Sequence, residues 1–530
     1  MPPYSLPSSP GGIAICRAGT RLAFLAADQQ GFDLCAIDIQ PDRSLDVPRL
    51  LFHTTRDALG PALSQGGEIG VVASDERTGK SRFSLRAFDM ASGREIAELW
   101  DGPESSLELI AFSPVAGDTR LLAITNRTGI ETLLIWDPIS GQRTDLIWPD
   151  LEGATRAFDW SPDGTRIVLR TLEQATQQFY VYNVATETLT RLNHPSGTYR
   201  NAYFASDEEI FVHHSDSTHP TQLVALDAAT GNLRRTVLAA GKVMAGHSWR
   251  SISFISSDGQ QIQGWLALPD GQGPFPTILE VHGGPFAVQT DSFSPTSQAW
   301  LDPGYAYLTI NYRGSTTFGR EFQEKIAGNP GHWEVEDLAA ARDWLVREGI
   351  ANPAQVLLTG WSYGGYLTLQ ALGRKPELWA GGMAGSPVAD WRRSYAEASE
   401  TMRVGVAAFF DGTPDEQPEA YATSSPITYV EQVTAPVLII QGRNDSRTPA
   451  GPVEEYARRM EAAGKRIEVH WYETGHLGPL LQVEEGIVHQ ELMLMFAKRI
   501  LPQHSNSNSS TESGLRHLLR RFRPKGQLTN

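Results

Sequence analysis

Cysteine is nearly absent from this chain. Cys16 and Cys35 are the only two in 530 residues, so no disulfide framework holds the fold together. Free thiols suit a reducing compartment, and the expected location is the cytoplasm. A basic excess is missing as well. The formal net charge of −16 argues against nucleic acid or an anionic membrane as a partner. No apolar run approaches the ~18 residues that cross a bilayer. The opening stretch Met1-Pro2-Pro3-Tyr4-Ser5-Leu6-Pro7 has neither the basic nor the apolar region of a secretory signal. Cys/His clusters with metal-ligand spacing, G-x-G-x-x-G turns and Walker loops are all lacking, so no metal and no cofactor is expected.

What is present is an ordinary globular composition on a chain too long for a single core, so two or three domains are expected. Residues 1–245 read as short alternating strands separated by Gly, Asp, Ser and Pro turns. A weak repeat runs through them. An apolar strand ending in Asp or Asn recurs at Asp38, Asp89, Asp137, Asn183 and Asp227, at intervals of 51, 48, 46 and 44 residues. A second recurring turn is clearest at Trp160-Ser161-Pro162-Asp163-Gly164, with looser versions from Ser64, Ser113 and Ala205. Such a period, with several strands per unit, predicts a β-propeller with about five readable blades. A β-sandwich, the rival, would not repeat at a nearly fixed interval.

From residue 246 to 502 the pattern changes to strands alternating with helices, such as 334–347 and 452–463. That alternation predicts a mostly parallel, doubly wound sheet: an α/β-hydrolase domain. Residues 503–530 are Ser/Asn-rich and then basic, the composition of a solvated tail. A short amphipathic helix around 515–522 is the alternative there.

Gly360-Trp361-Ser362-Tyr363-Gly364 follows the apolar run Val356-Leu357-Leu358 and precedes a helical pattern. This is the strand–turn–helix setting of a nucleophile elbow, in which the turn is too sharp for flanking side chains and the serine is held at its tip. A serine hydroxyl needs a base, and the base needs an orienting partner. Asp445 follows the run Val437-Leu438-Ile439-Ile440, and His476 follows the alternating run 467–472, so both fall on loops at the carboxyl ends of predicted strands. Ser362, Asp445 and His476 stand in the chain order of an α/β-hydrolase triad. The bland reading, a turn aspartate and a loop histidine, suits either residue alone better than it suits all three together. Acyl transfer also needs preorganised N–H donors for the oxyanion. The backbone of Tyr363 is one candidate and that of Gly283, in His282-Gly283-Gly284-Pro285, is the other. His282 itself reads as an orienting or packing residue.

These motifs, with Asn311-Tyr312-Arg313-Gly314-Ser315, Trp361 to Tyr366 and Asn444 to Pro449, resemble the prolyl oligopeptidase family of serine peptidases, in its acylaminoacyl-peptidase branch. The resemblance covers roughly residues 250–502. It implies a propeller that precedes the hydrolase domain and restricts access to it. It also implies that an arginine after the pair Asp390-Trp391 contacts a substrate carbonyl or carboxylate, and Arg403 is the best match, a surface salt bridge being its plain alternative. Trp391, Phe409 and Phe410 are candidates for an apolar substrate pocket or for ordinary core. The chain departs from the family in having five readable blades rather than seven or eight. It also lacks the paired-glutamate motif with which dipeptidyl-peptidase relatives hold a free N-terminus.

The expected activity is hydrolysis of short or N-blocked peptides through an acyl-enzyme on Ser362. An esterase or acyl-transferring enzyme using the same triad on a small acylated metabolite is the alternative, and a non-catalytic propeller platform is the reading the intact triad argues against. The expected partner is a small substrate, and a homo-oligomer is compatible with the sequence.

Overall fold

A computed structural model describes residues 10–501 apart from 29–30, 79–81, 130, 152, 242 and 399. The basic segment 503–530 therefore lies outside the described residues. The chain divides into two units, Met1–Met244 and Ala245–Asn530.

The first unit is all-β: five four-stranded antiparallel sheets, each with its strands in sequence order. The first sheet runs Pro10–Ile15, Arg21–Asp28, Gly31–Asp38 and Arg49–Thr54; the others occupy 58–99, 107–146, 154–191 and 198–238. Consecutive sheets pack face to face, the construction of a β-propeller. The alternation of side chains along a strand makes this possible. Ile69–Ser74 is buried at every position. Its Val71 and Ala73 pack with Leu121 and Ala123 of the third sheet. Val72 points the other way, to Ala23 and Leu25 of the first. The third sheet repeats the device, with Leu122 and Ile124 turned to Ile167 and Leu169 of the fourth. Outermost strands stay wet: Leu233–Leu238 is exposed at five of its six positions and carries Arg234 and Arg235, which blunts a free edge.

The repeat in the sequence has a local cause. Each recurring Asp or Asn ends or directly follows the third strand of its sheet. In four of the five its side chain accepts from backbone N–H groups two or three residues on, as Asp89 from Ser92, Asp137 from Ile139, Asn183 from Ala185 and Thr186, and Asp227 from Ala229 and Thr230. These are Asx turns, which close the hairpin to the outermost strand. The Ser-Pro-Asp-Gly turn lies one hairpin earlier, where Ser161 Oγ accepts from the Arg166 N–H at 2.9 Å.

The second unit is built on one eight-stranded sheet. Its strands are β1 (Arg250–Ile255), β2 (Gln261–Ala267), β3 (Phe275–Val281), β4 (Ala306–Asn311), β5 (Ala351–Trp361), β6 (Gly381–Gly385), β7 (Val437–Gly442) and β8 (Ile467–Tyr472), in the spatial order β1-β2-β4-β3-β5-β6-β7-β8. From β4 onward all neighbours are parallel. β4 and β7 are buried throughout, as strands covered by helices on both faces must be. Leu338, Ala341 and Leu345 of the helix Trp333–Arg347 cover part of one core with Leu279, Leu308 and Leu358. The parallel strands all point the same way, so the loops after β3, β5, β7 and β8 emerge at one edge. That places His282, Ser362, Asp445 and His476 together.

Candidate active site

Ser362 sits between β5 and the helix Tyr363–Arg374 at φ 59° and ψ −120°. A non-glycine residue there carries strain of about 1–3 kcal/mol, tolerated where the surroundings enforce it. The surroundings are glycines. A Cβ on Gly364 would stand 1.9 Å from the carbonyl oxygen of Val281, and one on Gly360 would stand 2.5 Å from the Gly364 carbonyl. The helix thus packs directly on β3, and the Ser362 N–H donates to the Gly385 carbonyl at 2.8 Å.

His476 and Asp445 meet in a buried hydrogen bond, Nδ1 to Oδ2, of 2.7 Å. Asp445 also accepts from the N–H groups of Arg447 and Thr448, both at 2.9 Å, and from the Thr448 hydroxyl at 2.8 Å. Burial works to raise its pKa, but the bonds from His476 and Thr448 outweigh it and hold the carboxyl below its ordinary range. An ionised Asp445 fixes the proton of His476 on Nδ1 and leaves Nε2 free as a base. Thr448 completes this set; it stands in the segment Asn444 to Pro449 and carries no sequence signal of its own.

The loop after β3 lies against Ser362. A Cβ on Gly283 would be 3.0 Å from the Trp361 carbonyl oxygen and 3.5 Å from Ser362 Cβ, so only glycine permits this approach. His282 is a packing residue. Its ring stacks on Tyr312 at 4.3 Å, Nδ1 lies 2.8 Å from the Gly283 carbonyl and Nε2 lies 2.9 Å from Ser315 Oγ. Desolvation pushes its pKa down to about 4, so it is neutral at pH 7. The motif Asn311 to Ser315 thereby shapes the loop: Tyr312 donates its hydroxyl to the His282 carbonyl at 2.9 Å, and buried Arg313 is anchored on Asp337.

Phe409 ends the helix Glu400–Phe409 6.1 Å from the ring of Tyr363 and 5.7 Å from half-exposed Phe286. Trp391 and Phe410 are core residues behind it, at 6 % and 1 % exposure. Trp391 therefore backs the apolar wall, while Phe409 and Phe286 form its face; Phe286 carried no sequence signal beyond its place after the Gly-Gly-Pro turn. Arg403 is exposed and lines a depression of about 460 Å³ with Tyr395, Val404 and Ala407. Among the described side chains it makes no hydrogen bond or ion pair. Six residues along one helix put it roughly 9 Å from Phe409. Among the described residues no group of acidic, His or Cys side chains has the spacing to hold a metal.

Residues 291–503 match the family model described as Prolyl oligopeptidase family. Over these residues the C-terminal unit is similar to that family. Residues 229–322 also match a model described as Esterase FrsA-like. Among curated relatives, Acylamino-acid-releasing enzyme 2 of Oryza sativa subsp. japonica is 32 % identical over 206 residues, covering 37 % of this chain and 26 % of its own length. Dipeptidyl aminopeptidase BIII of Pseudoxanthomonas mexicana is 28 % identical over 376 residues, covering 65 % of this chain and 53 % of its own. The chain thus spans about half or less of the curated relatives it matches. A puromycin-hydrolyzing peptidase from Mycobacterium tuberculosis shares the fold with a TM-score of 0.75 at 19 % identity, over 93 % of this chain and 79 % of that one. No described helix is long and apolar enough to cross a membrane.

Proposed function

We propose that this chain is a serine hydrolase that cleaves short or N-blocked peptides through an acyl-enzyme on Ser362, with the propeller restricting access. The observation that carries the reading is the buried 2.7 Å bond between His476 and Asp445, at the same sheet edge as a serine held at φ 59°. In this mechanism Ser362 Oγ attacks the acyl carbon while His476 Nε2 takes the hydroxyl proton. The N–H groups of Gly283 and Tyr363 hold the oxyanion. Collapse of the tetrahedral intermediate breaks the bond to the leaving group, which takes the proton from His476. Water then repeats the sequence on the acyl-enzyme, releasing the acid and restoring Ser362. Arg403 supplies a fork for a substrate carbonyl or carboxylate, and the Phe286–Phe409 wall offers apolar contact. Relatives named for releasing acylamino acids support the amide substrate.

The esterase reading has one observation in its favour: the second family match covers the loop that carries Gly283. A fluorophosphonate should label the wild-type protein and fail to label Ser362→Ala. Removing Ser362, Asp445 or His476 should each lower turnover by about 10⁴ or more with an unchanged unfolding transition. Efficient cleavage of N-acyl peptide anilides supports the peptidase; turnover of aryl esters alone assigns the esterase. A fully active Ser362→Ala removes both.

A further inference from the structure

Glu334 is a carboxylic acid with no exposed surface, in the first turn of a helix whose buried stripe is otherwise mostly apolar. The reaction outlined above gives it no task. Its Oε1 accepts the hydroxyl of Tyr363 at 2.6 Å and its Oε2 accepts the N–H of Gly331 at 3.0 Å. Tyr363 directly follows the nucleophile and offers one of the two oxyanion N–H groups. Its ring stacks on Tyr312 at 6.4 Å, and Tyr312 stacks in turn on His282, which leads into Gly283. The rings therefore join the two arms of the oxyanion site side by side. The Tyr312 hydroxyl is fixed on the His282 carbonyl and the Tyr363 hydroxyl on Glu334.

We propose that Glu334 is a positioning residue for the oxyanion site: it anchors the Tyr363–Tyr312–His282 stack and so sets the spacing of the Tyr363 and Gly283 N–H groups. The proposal rests on Ser362 being the nucleophile. A burial of this kind is costly for a charge, and a glutamine or an apolar residue would fill the place more cheaply. A 2.6 Å O–H···O contact suits an ionised acceptor, which can also take the Gly331 N–H on its second oxygen. Protonation takes one of those acceptor sites away. Burial, only partly offset by the bonds from Tyr363 and Gly331, lifts the pKa of Glu334 to about 7, within the range in which the enzyme would be assayed. The groups that face it are the hydroxyls of Tyr312, Tyr363 and Tyr366 and the carboxylate of Asp337, itself paired with Arg313. Arg374, from the nucleophile helix, closes the loop below by donating to the Gly331 carbonyl at 2.7 Å.

The test uses Glu334→Gln and Tyr363→Phe in the full chain. Glutamine keeps the acceptor for Tyr363 but turns a donor toward the Gly331 N–H, mimicking the protonated state. Each variant should lower kcat about tenfold or more with KM within about twofold, and weaken an aryl boronic acid, which forms a tetrahedral adduct on serine, by a similar factor. The double variant should be no worse than the poorer single one, because both cut the same link. In the wild type kcat should lose one contribution as pH falls through about 7, and Glu334→Gln should lack it. Unchanged kcat and boronate affinity in Tyr363→Phe overturn the proposal, as do additive losses in the double variant. Fluorophosphonate labelling separates the two failures: a wild type that is not labelled at Ser362 sinks the hydrolase reading itself, whereas a labelled wild type with insensitive variants sinks only the role of Glu334.

Discussion

Single residues in this chain take their roles from what surrounds them. Arg403 and Arg313 are both arginines of the hydrolase unit, yet Arg313 is 1 % exposed and held by Asp337 and Asp258, while Arg403 is exposed and unpaired among the described residues. Breaking the first leaves buried carboxylates without a counter-charge and should act on stability. Losing the second should act on substrate. Arg403→Ala is expected to lower kcat/KM for an N-blocked peptide about 10- to 100-fold, the worth of one charge-assisted hydrogen bond. Arg403→Lys should restore only part, because a point charge cannot reproduce a two-pronged contact. Steady-state kinetics of both variants, with unfolding midpoints as control, check this; wild-type kinetics in both return Arg403 to the solvent-facing surface.

At the scale of elements, the elbow is a packing problem solved by glycine. The helix Tyr363–Arg374 is almost wholly buried and runs against β3, β5 and β6. Its first turn has room only for hydrogen at Gly364 and Gly365, where a Cβ would meet the carbonyl oxygens of Val281 and Gly385 at 1.9 and 2.5 Å. Backbone atoms of two central strands cannot move aside as a flexible side chain can. Gly364→Ala should therefore destabilise the unit by about 4 kcal/mol or more, in the tail of single-substitution effects. Urea unfolding followed by the tryptophan signal measures it. A midpoint equal to wild type would mean that the helix shifts at little cost and that the close approach is not what fixes the elbow.

For the whole molecule the open question is what the five-sheet unit does for the hydrolase. Sheets that bury both faces against neighbours form a stiff array whose polar loops and wet outer strands are free to vary. If that array restricts access, one preferred bond should be cut faster in a peptide of a few residues than in an unfolded protein, and Ser362 labelling by a small fluorophosphonate should not change between the two mixtures. Confinement of this kind also keeps bulk water from the acyl-enzyme. Equal cleavage rates would remove the restriction while leaving the triad untouched.

Much of this was legible in residue order because the devices involved are local. Strand alternation, the Asx turns after Asp89, Asn183 and Asp227, and the Gly-x-Ser-x-Gly turn each need only a few consecutive residues, and these determined five sheets, an α/β unit and the candidate nucleophile. The parallel direction of strands then made His282, Ser362, Asp445 and His476 neighbours, a consequence of sheet geometry rather than of any one segment. Tertiary structure alone decided the rest. Whether Trp391 lines a pocket or backs one depends on Phe409 arriving from another helix. That Glu334 meets Tyr363 depends on two helices packing 29 positions apart in sequence, and its place on the buried stripe with Leu338 and Leu345 was the one sign of it. Such contacts are set by how surfaces fit once elements are assembled, and a linear sequence carries no direct record of that fit.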